Sequence, residues 1–417
     1  MRTFSPVCLA VAIAIGAVLA PSVTPPARAD GFRNPPPDAA GMAAAGARFT
    51  RPGVAAAAYQ PAGLLDLDQP AVQASASFVR LRNRFDPADG SPRQSARSSW
   101  QVLPHLHAGG PLRENAMAWG LGVGTPYGQA VEWDAEGPLR YTMPYRAQMT
   151  FLEAAPALAA RLTSRLGLAI GFSAGVSELS FRQRIPGAAL LGMPGPDGTL
   201  RFDGDGNGFG GQAGLVWDPA PSLRVAAGYR LPVRIRYRGD IRAEHPALPP
   251  GALDGDARTD VTFPDVATLG IGLRPRENLD LEASVEWLGW SRFDRQDFTF
   301  SGPLAALSPS SRTRWNDAWT VGAGAALRLG EAWTVRGGYR FLQSPIPDAT
   351  YSPLLPDADR HVVGLGIGFR NGPHAIEAAW NVSFFRARRI EDSENPALNG
   401  THRLDGDLAG LSYRFVF

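Results

Sequence analysis

Three sets of residues in this chain have types and spacing that could do chemistry: an acidic glycine-rich run, arginines at alternate positions, and six histidines. The run is "FDGDGNGFGGQAGLVW", Phe202 to Trp217, where Asp203, Asp205 and Asn207 precede Gly208 as in the start of an EF-hand loop. An EF-hand loop closes on a bidentate acid at its twelfth position. Counting from Asp203 reaches Gly214, and no helices are expected to flank the run, so no metal site is assigned. The acids read instead as a solvated turn on the descent from a long loop at 185–205, with Ala213, Leu215 and Trp217 on one face of the strand that follows. His105, His107, His245, His361, His374 and His402 supply no zinc-spaced pair, and no nucleophile elbow accompanies them. His105 and His107 share a strand face but read as plain surface residues. No Ser-His dyad can be assembled, so neither an enzyme nor a cofactor is expected.

The arginines are more informative. The sequence contains no lysine, so any cation that meets a ligand is a guanidinium, which matches a carboxylate through two parallel hydrogen bonds. In "LRVAAGYRLPVRIRYRGD", Leu223, Val225, Ala227, Tyr229, Leu231, Val233, Ile235 and Tyr237 alternate with Arg224, Ala226, Gly228, Arg230, Pro232, Arg234, Arg236 and Arg238. This period of two, sustained beyond the length of an ordinary strand, is the pattern of a transmembrane strand with one face to lipid and one to a lumen. On that reading Arg230, Arg234 and Arg236 point inward. So do Arg336 and Arg340, which oppose Val335, Tyr339 and Phe341 on another strand. Glu282 and Glu286 are the lumen-facing acids available to pair with them.

The elements that must position these groups follow from the rest of the chain. Arg2 followed by "VCLAVAIAIGAVLA" and "ARAD" reads as a signal peptide over residues 1–29. Cys8 would leave with it, so the working chain has no thiol. Basic and acidic residues then balance, which gives a nucleic-acid partner no support. Beyond the leader no apolar run reaches the ~18–20 residues of a spanning helix, and the remaining way for an exported chain to cross a membrane is a closed barrel. Brief breaks at "GPLRE", "LTSR", "DPAPS", "RPREN", "LGEA" and "RNGP" alternate with long connections near 87–98, 126–147, 185–205, 243–258, 300–315, 344–358 and 391–400. Six short and seven long connections join fourteen strands, so the fold class is all-β: an antiparallel outer-membrane barrel over 71–417. The chain ends "LAGLSYRFVF", with Tyr413, Phe415 and Phe417 on one face, and a terminal aromatic resembles the signal read by the barrel assembly machinery. Residues 30–70 are rich in Ala, Gly and Pro without alternation, and they read as a hatch that plugs the lumen.

The segments "DGF", "QPAGL", "GLGVGTPYG", "GFGGQAGLVWDPAPSLRVAAGYRLPV", "WLGWSRF", "SPIPD" and "LPDADRHVVGLGIGF" together resemble the FadL-type outer-membrane transporters of long-chain fatty acids and aromatic hydrocarbons. Gln60 departs from the Asn usual in that family. The resemblance implies a monomeric fourteen-stranded barrel with an N-terminal hatch. It also implies passive delivery of a hydrophobic molecule into outer-membrane lipid through a gap made by an inward kink of the third strand. Gly124, Pro126 and Gly128 interrupt that strand in this sequence and mark the kink, unless "TPYG" is merely its outer turn. Asp357, Asp359 and Arg360 match the family's Pro-Asp-x-Asp-Arg pattern and are expected to form a salt-bridge cluster near the hatch or pocket. Phe32, Met42, Phe49 and Val54 are expected as hatch lining. The expected function is uptake of fatty acids, with monoaromatic hydrocarbons as the alternative cargo. An open porin and a surface-binding barrel are the rivals from other classes.

Overall fold

The computed structural model describes residues 31–113, 116–192 and 195–417; the expected leader and Cys8 lie outside them. Among the described residues, fourteen antiparallel strands close into a barrel. They are β1 (Ala71–Pro87), β2 (Gln101–Arg113), β3 (Met117–Gly124 and Gly128–Glu132), β4 (Arg146–Arg161), β5 (Leu166–Ile185), β6 (Gly198–Ala220) and β7 (Leu223–Arg230 and Val233–Glu244). Then come β8 (Asp254–Phe263 and Val266–Arg276), β9 (Leu279–Leu288), β10 (Ala318–Leu329), β11 (Trp333–Leu342), β12 (Arg360–Asn371), β13 (His374–Phe385) and β14 (Gly400–Val416). Closure is between β1 and β14, in register from Ala71↔Val416 to Pro87↔Gly400. Short turns and long connections alternate around the barrel, with both barrel ends on the short-turn side. One loop is shorter than expected: β6 already begins at Gly198, so Asp203 and Asp205 lie in the strand and not in a descending turn.

The strands carry large apolar side chains outward and small ones inward. On β5, Leu168, Ile170, Phe172 and Val176 are exposed, whereas Gly167, Ala169 and Gly175 face the lumen. Lipid takes the first set; the hatch needs the second. Its helices α1 (Ala39–Ala43) and α2 (Ala56–Tyr59), with 3-10 turns at Gly53–Ala55 and Pro61–Asp66, are almost wholly buried. A Cβ on Gly364 would lie 2.5 Å from the Met42 carbonyl oxygen, and one on Gly366 would lie 2.5 Å from the Ala43 Cβ. Glycine at these wall positions lets hatch backbone lie directly against strand backbone, at the density of a protein interior.

Polar anchors complete the docking. Asp38 caps α1 by accepting from the Gly41 N–H at 2.7 Å and pairs with Arg48 at 3.2 Å. The Ala39 N–H donates to Ser412 Oγ at 2.9 Å. Glu282 on β9 accepts from the Phe49 and Thr50 backbone N–H groups and the Thr50 hydroxyl. Gln60 is buried, and its Nε2 donates to the Leu215 and Ala227 carbonyls at 3.2 and 3.1 Å, joining the hatch to β6 and β7.

Two strands break where the sequence alternation looked continuous. In β7 the inward set is Arg224, Ala226, Gly228 and Arg230 below the break at Leu231–Pro232, but Val233, Ile235 and Tyr237 above it. β8 slips in the same way at Pro264–Asp265, so that Arg230↔Val266 and Val233↔Phe263 remain paired. A one-residue slip turns every later side chain to the other face. Arg234 and Arg236 therefore point outward, which corrects their expected lumen position, and Ile235 and Tyr237 point in. The upper part of β7 also closes over β6: a Cβ on Gly206 would lie 2.5 Å from the Arg236 carbonyl oxygen, and one on Gly208 would lie 2.8 Å from that of Arg234. This close approach accounts for the glycines of the "GDGNGFGG" run.

Candidate functional site

The pocket that best unites the expected chemistry lies between the hatch and the broken third strand. β3 stops at Gly124 and resumes at Gly128, so "TPYG" is an interruption within the strand and not its outer turn. Across the break the hatch supplies the missing ladder. The Asn34 N–H donates to the Pro126 carbonyl at 3.0 Å, the Gly128 N–H donates to that of Phe32 at 3.2 Å, and Arg33 faces Tyr127 as an antiparallel bridge. Asn34 Nδ2 adds a bond to the Thr125 carbonyl at 2.8 Å. Proline at 126 has no N–H to lose here, which is why the chain can turn inward at this point without orphaning a donor.

The same break opens the seam between β2 and β3. Their pairing runs from Arg113↔Met117 up to Leu106↔Val123 and stops. Above the break, Gly128–Glu132 pairs with β4, and the next crossing bond, from the Arg97 N–H to the Glu132 carbonyl at 2.7 Å, is at the top of the wall. The window between has Trp100 and Val102 exposed on its outer side. On its inner side are His105 and His107, stacked with ring centroids 6.3 Å apart. Both are buried, contrary to their reading as surface residues, and a Cβ on Gly124 would collide with the His105 ring.

Behind this window is a cavity of about 120 Å3 lined by Phe49, Ala58, Tyr59, Val123, Ala155 and Val266 together with the charged groups Arg33, Arg48, Arg230, Arg340, Glu153 and Glu286. Arg33 of the hatch forks onto Glu286, with Nη1 to Oε2 at 2.9 Å and Nη2 to Oε1 at 3.3 Å. Arg340 of β11 pairs with the same carboxylate, and Thr268 Oγ1 lies 3.4 Å from its Oε1. Arg230 pairs with Glu153 and Arg48 with Asp38. In the Arg33–Glu286–Arg340 cluster two guanidinium groups, one from the hatch and one from β11, converge on the same carboxylate. A chamber with apolar lining and guanidinium groups at its wall can receive a molecule that is mostly apolar and carries one anionic group.

The other expected site residues are distributed more widely. Arg336 faces the lumen but sits nearer the short-turn end, paired with Glu377 at 3.0 Å. Arg234 is on the outer surface and pairs with Asp260. Asp357 accepts from the Gly31 N–H at 2.9 Å and from Ser344 Oγ at 2.8 Å, and Asp359 accepts from the Ser344 N–H at 3.2 Å. They tie the first described hatch residue to the β11–β12 loop. Arg360 lies over the Phe385 ring at 5.4 Å, outside the cavity lining. In the same loop Tyr351 is buried beneath the Arg388 guanidinium, 4.5 Å from its ring centre, and burial pushes its hydroxyl up. Of the hatch residues, Phe49 lines the cavity. Phe32 instead packs edge-on against Trp290 at 4.7 Å and Phe263 at 5.7 Å, Met42 packs under Gly410, and Val54 is buried in the hatch. Arg33, Glu153 and Tyr127 escaped the sequence reading, because their partners are more than 70 residues away or on the other side of the lumen.

Residues 22–417 match the family model described as outer membrane protein transport protein (OMPP1/FadL/TodX). The chain belongs to that family. It is therefore an outer-membrane transporter of hydrophobic compounds. A long-chain fatty acid transport protein of Salmonella typhi is 22% identical over 368 residues, covering 81% of this chain and 82% of the relative. Among solved structures, a Pseudomonas aeruginosa FadL homologue superposes with a TM-score of 0.81 at 21% identity, over 93% of this chain and 100% of the other. The Pseudomonas putida toluene transporter TodX gives 0.75 at 18% identity, over 93% and 99%. At these identities the structures speak to the fold, and they match the closed barrel described above.

Proposed function

We propose that this member of the family takes up long-chain fatty acids passively, binding the carboxylate beside Arg33 and Arg340 and releasing the ligand sideways through the β2–β3 window. The observation that carries this reading is the convergence of the Arg33 and Arg340 guanidinium groups on Glu286 in the lining of a chamber that also presents Phe49, Tyr59, Val123 and Val266 and adjoins the window. A carboxylate there gains charge-assisted hydrogen bonds, and the tail extends along the apolar lining. The hatch residues 30–70 act as the gate: Phe32 and Asn34 complete the broken strand, so a ligand that displaces them opens the wall and is favoured by the open state. Release into lipid needs no energy source, because an apolar ligand moves downhill from water into hydrocarbon.

One observation favours the second cargo. A space of about 120 Å3 is near the size of apolar cavities that hold a single benzene ring and below the ~300–1,000 Å3 of larger ligand sites. Monoaromatic hydrocarbons would fit it without movement of the hatch, whereas a fatty acid requires the hatch to shift. Uptake of oleate and of toluene by cells lacking their own transporters, with and without this chain, separates the two. Faster oleate uptake supports the proposal; toluene uptake alone replaces it with the second reading. A large steady ion conductance of the purified chain in a planar bilayer would instead favour an open porin and remove the gate.

A further inference from the structure

The slip in β7 and β8 that turns Arg234 outward builds a second charged site, on the outside of the barrel. Arg234, Arg236, Arg238, Arg258, Arg292 and Arg295, with Asp260 and Asp297, line a concavity of about 460 Å3 formed by β7, β8 and the segment Arg295–Phe300. Its height is set by what lies beneath. Tyr229, Ala267, Trp287 and Trp319 are side-by-side partners on β7 to β10, and aromatic residues at such a level mark the membrane interface. Leu231, Leu269 and Ile271 are exposed nearby. Arg234, Arg236 and Arg238, five, seven and nine residues above Tyr229, are about 16, 23 and 30 Å further along the strand at ~3.3 Å per residue. On a strand tilted by ~35–45° they stand above the apolar band on the outer side, where a lipid's sugar and phosphate groups project.

Three arginines here are under-compensated. Arg234 pairs with Asp260, Arg292 with Asp265 at 2.8 Å, and Arg295 lies 3.7 Å from Asp297. Among the described residues Arg236, Arg238 and Arg258 have no acid within 4.0 Å, Asp205 opposite Arg238 on β6 included. Arg238 and Arg258 are moreover direct cross-strand partners on the same exposed face. Like charges in that relation repel and destabilise a sheet, unless an anion lies between them. Phosphate, which guanidinium groups bind through paired hydrogen bonds, supplies it.

We propose that this face holds the phosphorylated head group of an outer-leaflet glycolipid of the lipid A type. Its phosphates lie among Arg236, Arg238 and Arg258, and its acyl chains run down over Leu231, Leu269 and Ile271. A bound lipid here would brace the slipped segments of β7 and β8 against the membrane.

The full chain in detergent is titrated with bisphosphorylated lipid A, with the same lipid after dephosphorylation, and with inorganic phosphate as competitor. The phosphorylated lipid should bind at least tenfold more tightly than the dephosphorylated one. The triple variant Arg236→Gln, Arg238→Gln, Arg258→Gln should erase that difference, while Arg389→Gln, on a remote exposed loop, should leave it intact. Arg258→Gln alone relieves the like-charge pair, so it should raise the melting temperature of the lipid-free protein while weakening lipid binding at least threefold. Equal binding of the two lipids, undiminished binding by both arginine variants, or full displacement by inorganic phosphate at the lipid's own concentration would overturn the proposal.

Discussion

Arg340→Gln tests the carboxylate proposal most directly. In the native pocket Arg33 and Arg340 share Glu286, and both line the cavity. Glutamine keeps a hydrogen-bond donor near Glu286 but removes the charge that a ligand carboxylate would meet. A hydrogen bond to a charged group contributes about 1.5–3 kcal/mol, which corresponds to about a 10- to 150-fold weakening for a ligand whose carboxylate relied on the lost charge. An uncharged hydrocarbon of similar length has no such contact and should change by less than about threefold. The shorter side chain also withdraws from the turn at Gly46, against which Arg340 packs, and this packing loss would weaken both ligands alike. The ratio of the two effects is thus the quantity to measure, by calorimetric titration of oleate and of an octadecene with native and variant protein above pH 7, where the free acid is ionised. Equal losses for the two ligands would refute recognition of the carboxylate by Arg340, whatever their absolute size.

Other consequences can be tested with single variants. Arg33 and Tyr127 form a pair whose neighbours make the flanking hydrogen bonds, the geometry in which Cα atoms approach to about 4.5 Å, within disulfide range. The double variant Arg33→Cys, Tyr127→Cys lacks one of the proposed carboxylate partners, so its oxidised form is compared with its own reduced form. The residual uptake of the reduced variant should stop on oxidation and return on reduction; residual uptake insensitive to oxidant would show that the hatch need not leave β3. Gly366→Val thrusts a side chain into Ala43 of the hatch, and overpacking of this kind costs about 1–3 kcal/mol. The expected readout is a lower melting temperature together with new ion conductance, and a variant as silent as the native protein would mean the hatch is not seated by that contact. Removing Phe417, whose N–H bonds to the Pro70 carbonyl at 2.9 Å and whose ring meets Phe415 edge-on at 5.1 Å, should slow insertion by the assembly machinery. Heat-modifiability on gels measures it, and unchanged insertion would remove the C-terminal signal.

The division between what was legible and what was not follows interaction range. Strand number, the alternation of short turns with long connections, and the hatch segment could be read because each is recorded in nearby residues: period-two patterns, brief polar breaks, and a stretch of Ala, Gly and Pro without alternation. Arg230 and Arg340 face the lumen as alternation predicts, since their strands alternate without interruption up to those positions. At Pro232 the local alternation continues through a break while the register slips by one residue. Arg234 and Arg236 changed sides with it, because a strand has two faces and no local marker of which one survives a bulge. His105 and His107 read as surface residues and are buried, because their burial depends on a hatch and a strand break that the local sequence does not record.

By itself, then, the sequence determined that this protein is a plugged barrel of fourteen strands with arginine as its only strong cation, since backbone satisfaction in hydrocarbon allows an exported chain without apolar helices no other way to span. It also marked the place where β3 breaks, through Gly124, Pro126 and Gly128. Only the tertiary structure decided what that break adjoins. Phe32 and Asn34 of the hatch close it, and Glu286, more than 250 residues from Arg33, joins the hatch to Arg340 across the lumen. Such pairings depend on barrel closure and on hatch position, which a pattern of two-residue period does not encode. The "FDGDGNGFGG" run was settled in the same way: its glycines are there because the inward-slipped backbone of β7 lies against them.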